Sequence, residues 1–206
     1  MKYSDLFVYV LTEVPGCPEF TAERAIRDAC IDFCARTDLY KAEVQTLIVS
    51  VGITEYELDA PTGTEPNHVK AILRKGKPLT ATTYQDAVMA IEQSDRSYPQ
   101  YYAQYDNANV LIGPKPVERE SLKVIYTLKP TQSSSSIPDT VGNEWREALV
   151  SGALFRLQMM SGQPWMNPNA ANANAQIYER AVAKAIRQSQ YGHGGASLTV
   201  TPREFI

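Results

Sequence analysis

The stretch "AIRDACIDFCARTDLYKAEVQTLIVSV", residues 25–51, changes its apolar period part-way along. Before Thr37 the apolar side chains recur at helical spacing: Ala22, Ala25, Ile26, Ala29, Cys30 and Phe33 fall on one stripe. Glu23, Arg24, Arg27, Asp28 and Asp32 lie mainly on the other side. From about Glu43 the residues become β-branched and apolar, and Gly52 punctuates the run. A chain that switches period here is neither all-helical nor all-strand. It joins a helical part to a sheet.

Upstream, residues 4–13 carry Leu6, Phe7, Val10 and Leu11 on one helical face, with Ser4 at the N-cap. "VPGCP" (Val14–Pro18) breaks this helix, and Pro18 or Thr21 opens the next, giving an αα-hairpin. Downstream, "TEYELDAP" alternates with period two, and "HVKAILRKGKPL" reads as two strand fragments about Lys75-Gly76. "YYAQYDNANVLIGP" is a hairpin signal turning at Asp106-Asn107. "ESLKVIYTL" places Leu122, Val124 and Tyr126 on one face. Thr83 to Asp86 resembles a capping box for a short helix reaching about Ser94. Six or so short antiparallel strands predict a small sandwich or barrel.

"KPTQSSSSIPD" (Lys129–Asp139) is polar, proline-bounded and without period, and reads as a flexible connector. A third helix is expected over roughly 141–160, apolar around more than half its circumference, with Gly152 and Ala153 allowing close approach. A fourth is expected over roughly 169–190, with the stripe Ile177, Tyr178, Ala181, Val182, Ala185 and Ile186. "SGQPWMNP" (Ser161–Pro168) lies where these two must reverse direction; Trp145 and Trp165 are the expected packing residues of that corner. After Tyr191 comes a glycine hinge and then an alternating apolar segment containing Leu198, Val200, Phe205 and Ile206.

Net charge is −3, with no lysine–arginine stripe, which argues against a surface that coats nucleic acid. The longest apolar run, Leu6–Leu11, is far short of the roughly 20 residues needed to cross a bilayer. Neither is it a signal-peptide core, so maturation without processing in a cytoplasm is expected. Three cysteines, Cys17, Cys30 and Cys34, suit free thiols in a reducing compartment. Cys30 and Cys34 share a helix face, but neither of the two histidines, His68 and His193, is near in sequence, so buried structural thiols are expected. Phosphate-binding glycine loops, a GxSxG elbow, HExxH and CxxC are all absent from the sequence. The carboxylate pairs Glu55/Glu57 and Glu118/Glu120 sit at strand spacing and are expected to face solvent.

In this order the strings "VPGCP", "AIRDACIDFCART", "TEYELDAP", "YPQYYAQYDNANVLIGPKP", "LKVIYTLKPTQSSSSIPD", "WREALVSGALFRL" and "GQPWMNPNAANANAQIYERAVAKA" resemble the head–tail adaptor (head completion, or connector) proteins of tailed bacteriophages. The glycine-rich stretch after Tyr191 stands outside that resemblance. The resemblance implies an α+β fold: a helical bundle from residues 1–42 and 131–190, an inserted antiparallel β-sandwich or small barrel at 43–130, and an extended arm at 191–206. It further implies a structural virion protein of the neck, assembled in the host cytoplasm, with no catalytic residue, cofactor or metal. Its partners would be the portal, tail or nozzle proteins and further copies of itself in a ring, twelve in the implied assembly. DNA would pass through the lumen, and no membrane is involved. Leu198, Val200, Arg203, Phe205 and Ile206 are the residues expected to dock on the portal or a neighbouring subunit. The free protein is expected to be monomeric.

Two other readings follow from the residues. Tyr98, Tyr101, Tyr102 and Tyr105 suggest a carbohydrate- or peptide-binding surface in the strand region. An enzyme would rest on Cys34 and scattered carboxylates alone.

Overall fold

The computed structural model describes residues 1–93 and 97–192. A 3₁₀ turn, Tyr3–Leu6, runs into α1 (Phe7–Glu13), and α2 (Glu19–Thr37) folds back against it. Ser4 is not the cap: Lys2 precedes the first turn, and its N–H donates to Asp5 Oδ2 at 2.8 Å. The expected α2 stripe is buried throughout, because every third or fourth residue points at the same neighbours.

Eight strands follow: β1 (Gln45–Val49), β2 (Glu55–Glu57), β3 (Thr64–Arg74), β4 (Lys77–Pro78), β5 (Thr80–Ala81), β6 (Tyr101–Gln104), β7 (Asn109–Gly113) and β8 (Glu120–Pro130). They form two four-stranded sheets, ordered β1-β8-β3-β4 and β2-β7-β6-β5. The α+β class holds. One pair, β5 with β6, is parallel, so the sheets are not wholly antiparallel. Lys75 and Gly76 both take positive φ, 48° and 83°, the geometry of a tight hairpin turn. At the second hairpin, Asp106 Oδ1 accepts the N–H groups of Ala108 and Asn109, at 2.8 and 2.6 Å.

Leu47, Val49, Ile72, Leu122, Val124, Tyr126 and Leu128 from the first sheet meet Tyr102, Val110 and Ile112 from the second. Facing sheets with a shared apolar interior make a sandwich. On the opposite face of the second sheet, Ala103 and Leu111 pack against Ala87 and Ile91 of α3 (Tyr84–Gln93).

The expected third helix is two: α4 (Asp139–Glu144) and α5 (Arg146–Gln158). Trp145 breaks them at φ −111°, ψ 20°, and this lets its ring reach Phe33 at 5.6 Å between centroids. α6 (Pro168–Tyr191) starts with proline in its first turn, and Asn167 Oδ1 accepts the Ala170 N–H at 3.2 Å. Its stripe is narrower than expected: Tyr178, Val182 and Ala185 are buried, but Ile177 is 39% exposed. α1, α2, α5 and α6 enclose one continuous apolar core, into which Tyr3 and Leu6 also reach. Among the described residues no helix is long and apolar enough to cross a membrane.

Candidate functional site

Two junctions tie the helices to the sandwich, and both are polar. α2 stops at Thr37 because Asp38 turns left-handed, φ 56°, ψ 24°, while its N–H still donates to Cys34 O. Aspartate tolerates that conformation better than most residues. The turn aims its carboxylate at the first sheet. Asn67 Nδ2 (2.9 Å), Lys70 Nζ (2.6 Å) and Thr127 Oγ1 (2.8 Å) donate to it, and His68 Nδ1 lies 2.8 Å away. Asn67 Nδ2 also reaches Ala35 O at 3.0 Å. Burial pushes the Asp38 carboxyl up, but its bonds with Lys70, His68 and Thr127 outweigh that and hold it below the usual carboxylate range.

The second junction is the segment expected to be a flexible connector. Residues 133–138 are instead stapled to the N-terminus. Tyr3 N–H donates to Ser135 O (3.1 Å) and Ile137 N–H to Met1 O (3.0 Å). Arg27 Nε donates to Ser134 O at 3.0 Å, and the Tyr3 hydroxyl shares a 2.5 Å bond with Ser134 Oγ. Ser134 is buried, so the serine run is a strap rather than a loose tether. Local composition cannot reveal this, because the partners lie more than a hundred residues upstream.

Between the strap, the 40–45 segment and the 59–64 loop opens a cleft of about 950 Å³, floored by Tyr126 and Leu128. Across its rim Gln45 Nε2 donates to Asp59 Oδ2 (2.9 Å), and Asp59 N–H returns a bond to Gln45 Oε1 (3.1 Å). A second, shallow depression of about 180 Å³ touches Lys41, Trp145 and Gly192, so Lys41 borders both hollows.

A third polar cluster works inside the bundle. Tyr178 OH donates to Asp32 Oδ2 at 2.6 Å, and Arg36 and Arg156 lie 3.5 and 3.6 Å from the same oxygen. Arg36 also holds Glu179 at 2.8 and 2.6 Å, which keeps that carboxyl below its ordinary range. Burial, then the bond to Asp32, pushes the Tyr178 hydroxyl well up. The close approach expected at Gly152 is to this ring: an added Cβ would lie 2.8 Å from it.

The other residues singled out from sequence are dispersed. Trp145 is buried against Phe33, with Lys184 Nζ 5.6 Å above its ring. Trp165 is half-buried against the helical core, and its indole N–H meets no acceptor among the described residues. Cys17, Cys30 and Cys34 are buried free thiols, and burial pushes Cys34 up to about 12, a poor nucleophile. Among the described residues no group of three or more histidine, cysteine, aspartate or glutamate side chains is placed to hold a metal.

The tyrosines do not form one platform. Tyr102 faces the sandwich interior, Tyr101 packs toward α3, Tyr98 lies under Arg74 at 4.3 Å, and Tyr105 pairs with Tyr84 at 5.3 Å. Glu55 and Glu57 face solvent, but Glu120 does not: its carboxylate binds Arg74 Nε at 2.9 Å, an ion pair the strand spacing gave no hint of. Leu198, Val200, Arg203, Phe205 and Ile206 lie outside the described residues.

Hydrogen bonds and ion pairs thus join α2 to the first sheet at Asp38 and the serine strap to the N-terminal helices. No curated protein matches the chain. The family model described as SU10 adaptor protein matches residues 1–201, and so takes in part of the segment after Tyr191 that the sequence resemblance left out. With nearly the whole chain matched, the protein belongs to the SU10 adaptor protein family, a family of bacteriophage adaptors.

Proposed function

We propose that this structural adaptor joins head to tail: copies form a ring beneath the portal, twelve in the implied assembly, contact tail or nozzle proteins, and leave a passage for DNA. The match over residues 1–201 is the observation that carries this reading. The helices of 1–42 and 131–190 serve as one domain with 43–130 inserted. The Asp38 clamp and the strap support the reading, because a ring component must keep its two parts in fixed relation under load. The arm, through Leu198, Val200, Arg203, Phe205 and Ile206, grips the portal or a neighbouring copy.

The test is attachment to purified portal, measured as complex mass. The intact chain should add to the portal as a ring. Deleting residues 192–206 should leave the fold intact, since Ala185 is the last buried core residue among the described residues, but abolish attachment. Unchanged attachment of the truncated chain rejects the arm's role; no attachment of the intact chain rejects the adaptor reading. A weakly acidic protein, net −3, should let DNA pass without holding it. Micromolar duplex binding at about 0.15 M salt would count against the passage.

A further inference from the structure

In a chain that is 21% charged, two stretches of the described residues stand out by carrying no Asp, Glu, Lys or Arg. One runs between Arg156 and Glu179, the other between Glu43 and Glu55; no other such stretch among the described residues is as long. The first takes in the corner from α5 into α6. Met159 is 51% and Met166 45% exposed there, beside the half-buried Met160 and Trp165. Amides supply much of its polar surface, with Gln163, Asn167, Asn169 and Asn172 exposed. The second is β1 and the turn after it. Val44 is 56% and Ile48 50% exposed on the outer side, the side of Ile125 of β8, and Val51 and Ile53 stand about half exposed just beyond. Lys123, opposite Thr46, is the charge that the register brings to this face.

These two surfaces lie at opposite ends. α5 meets Phe33 at Trp145 and Ala29 at Gly152, so it runs away from the Asp38 end of α2, where the first sheet is clamped. The α5–α6 corner is therefore at the end of the bundle remote from that sheet.

We propose that they are the two halves of the contact between neighbouring copies: the α5–α6 corner of one copy seats on the outer face of β1 of the next. The contact rests on the ring of the proposed function and deepens it by naming its surfaces. A ring of identical copies needs two different surfaces on each, one for either neighbour, whereas a two-fold dimer uses one surface twice. Charge selects this pair. Each copy carries net −3, so copies repel one another wherever their charged surfaces face. Two charge-free surfaces meet without that repulsion and without burying an unpaired ion, and the amide oxygens of the corner offer acceptors to Lys123. The centres of interfaces are short of charge and rich in methionine and aromatic rings, as the corner is. Methionine also adapts its shape to a β-branched face. Val8 and Phe20, the other exposed apolar pair, suit a like copy less well, because Asp5, Glu13 and Glu19 are exposed on the same hairpin.

The experiment adds full-length chains to purified portal and reads the mass of the complex. It compares the parent, Met166→Glu, Ile48→Lys and an equal mixture of the two variants, with circular dichroism to show that both fold. Either variant alone should fill the ring about tenfold less well than the parent, since each buries one unpaired charge at every contact. The mixture should recover most of the parent's bound copies. In it the new carboxylate of one copy meets the new ammonium of the next, and the alternate contacts are the parent's own. A full ring from either variant alone overturns the contact. Failure of the mixture to recover also overturns it, because the two surfaces then meet something other than each other. Both results leave the parent's ring standing. No ring from the parent instead overturns the ring of the proposed function, and this contact with it.

Discussion

The helical region and the sandwich solve burial differently. The helices share one core in which aromatic rings, cysteines and small residues interlock, and even its polar members, Asp32, Arg36, Arg156 and Tyr178, bridge one helix to another. The sandwich is asymmetric. Its second sheet is covered on both faces, by the first sheet and by α3, whereas the first sheet leaves Val44, Ile48 and Ile125 exposed outside. The contrast lies in the interior: the bundle is finished, closed around one core, and the first sheet leaves one face open. On the outside both regions expose apolar side chains, Val8 and Phe20 on the α1–α2 hairpin as well as Val44 and Ile48.

The hardest way to break the contrast is to damage the finished part. Phe33 is fully buried between Trp145 and Tyr178, at 5.6 and 6.3 Å. Phe33→Ala should cost about 3–5 kcal/mol, read as a lower midpoint in urea. A loss below about 1 kcal/mol would mean the bundle core collapses to fill space and is not as interlocked as described.

Next in size is the clamp between the regions. Asp38→Ala leaves Asn67 and Thr127 short of a partner and puts alanine at a left-handed position. About 2–4 kcal/mol should be lost, and unfolding should split toward two transitions. A single transition of unchanged midpoint would show that the strap alone couples the regions. Acid sharpens the same point. The folded carboxyl lies below its unfolded value of about 3.9, so the clamp is fully present above about pH 4 and is lost as pH falls through the folded value. The stability gap between the parent and Asp38→Asn should therefore narrow from pH 6 toward pH 3. A gap constant over that range would mean the charge contributes nothing.

A smaller effect is expected at Gly152. Alanine there gains about 1 kcal/mol of helix propensity, but its Cβ would lie 2.8 Å from the Tyr178 ring and 3.2 Å from Ala29 Cβ. That ring is held by Asp32 and cannot simply withdraw, so a net loss of about 1–2 kcal/mol is expected in thermal or urea unfolding. A gain would show that the ring has room to move.

Much of the scaffold was legible because its signals are local. The α2 stripe, the Lys75-Gly76 turn, the Asp106 hairpin and the Thr83 cap each depend on residues within a few positions. The joints were not legible. Asp38 meets partners 29 to 89 residues away, and the strap pairs with the N-terminus across more than a hundred. The break at Trp145 is likewise tertiary: nothing in "VGNEWREA" forbids a continuous helix, and the packing of the indole on Phe33 decides it. Polar serine runs read as linkers until something distant binds their backbone.

The smallest predicted effect repeats the largest substitution on the same helix. Phe20 lies in the first turn of α2, 76% exposed, thirteen residues before Phe33. Phe20→Ala removes the same ring chemistry, yet it opens no cavity and puts the best helix former where an aromatic stood. Stability should change by less than about 0.5 kcal/mol. Urea unfolding of the two variants side by side thus separates position from composition. If Phe20→Ala costs more than about 1 kcal/mol, that ring is packed in the folded chain and the bundle surface is not as open as its exposure indicates. If stability is unchanged but attachment to the portal weakens, the exposed ring belongs to an interface, and the hairpin shares in docking.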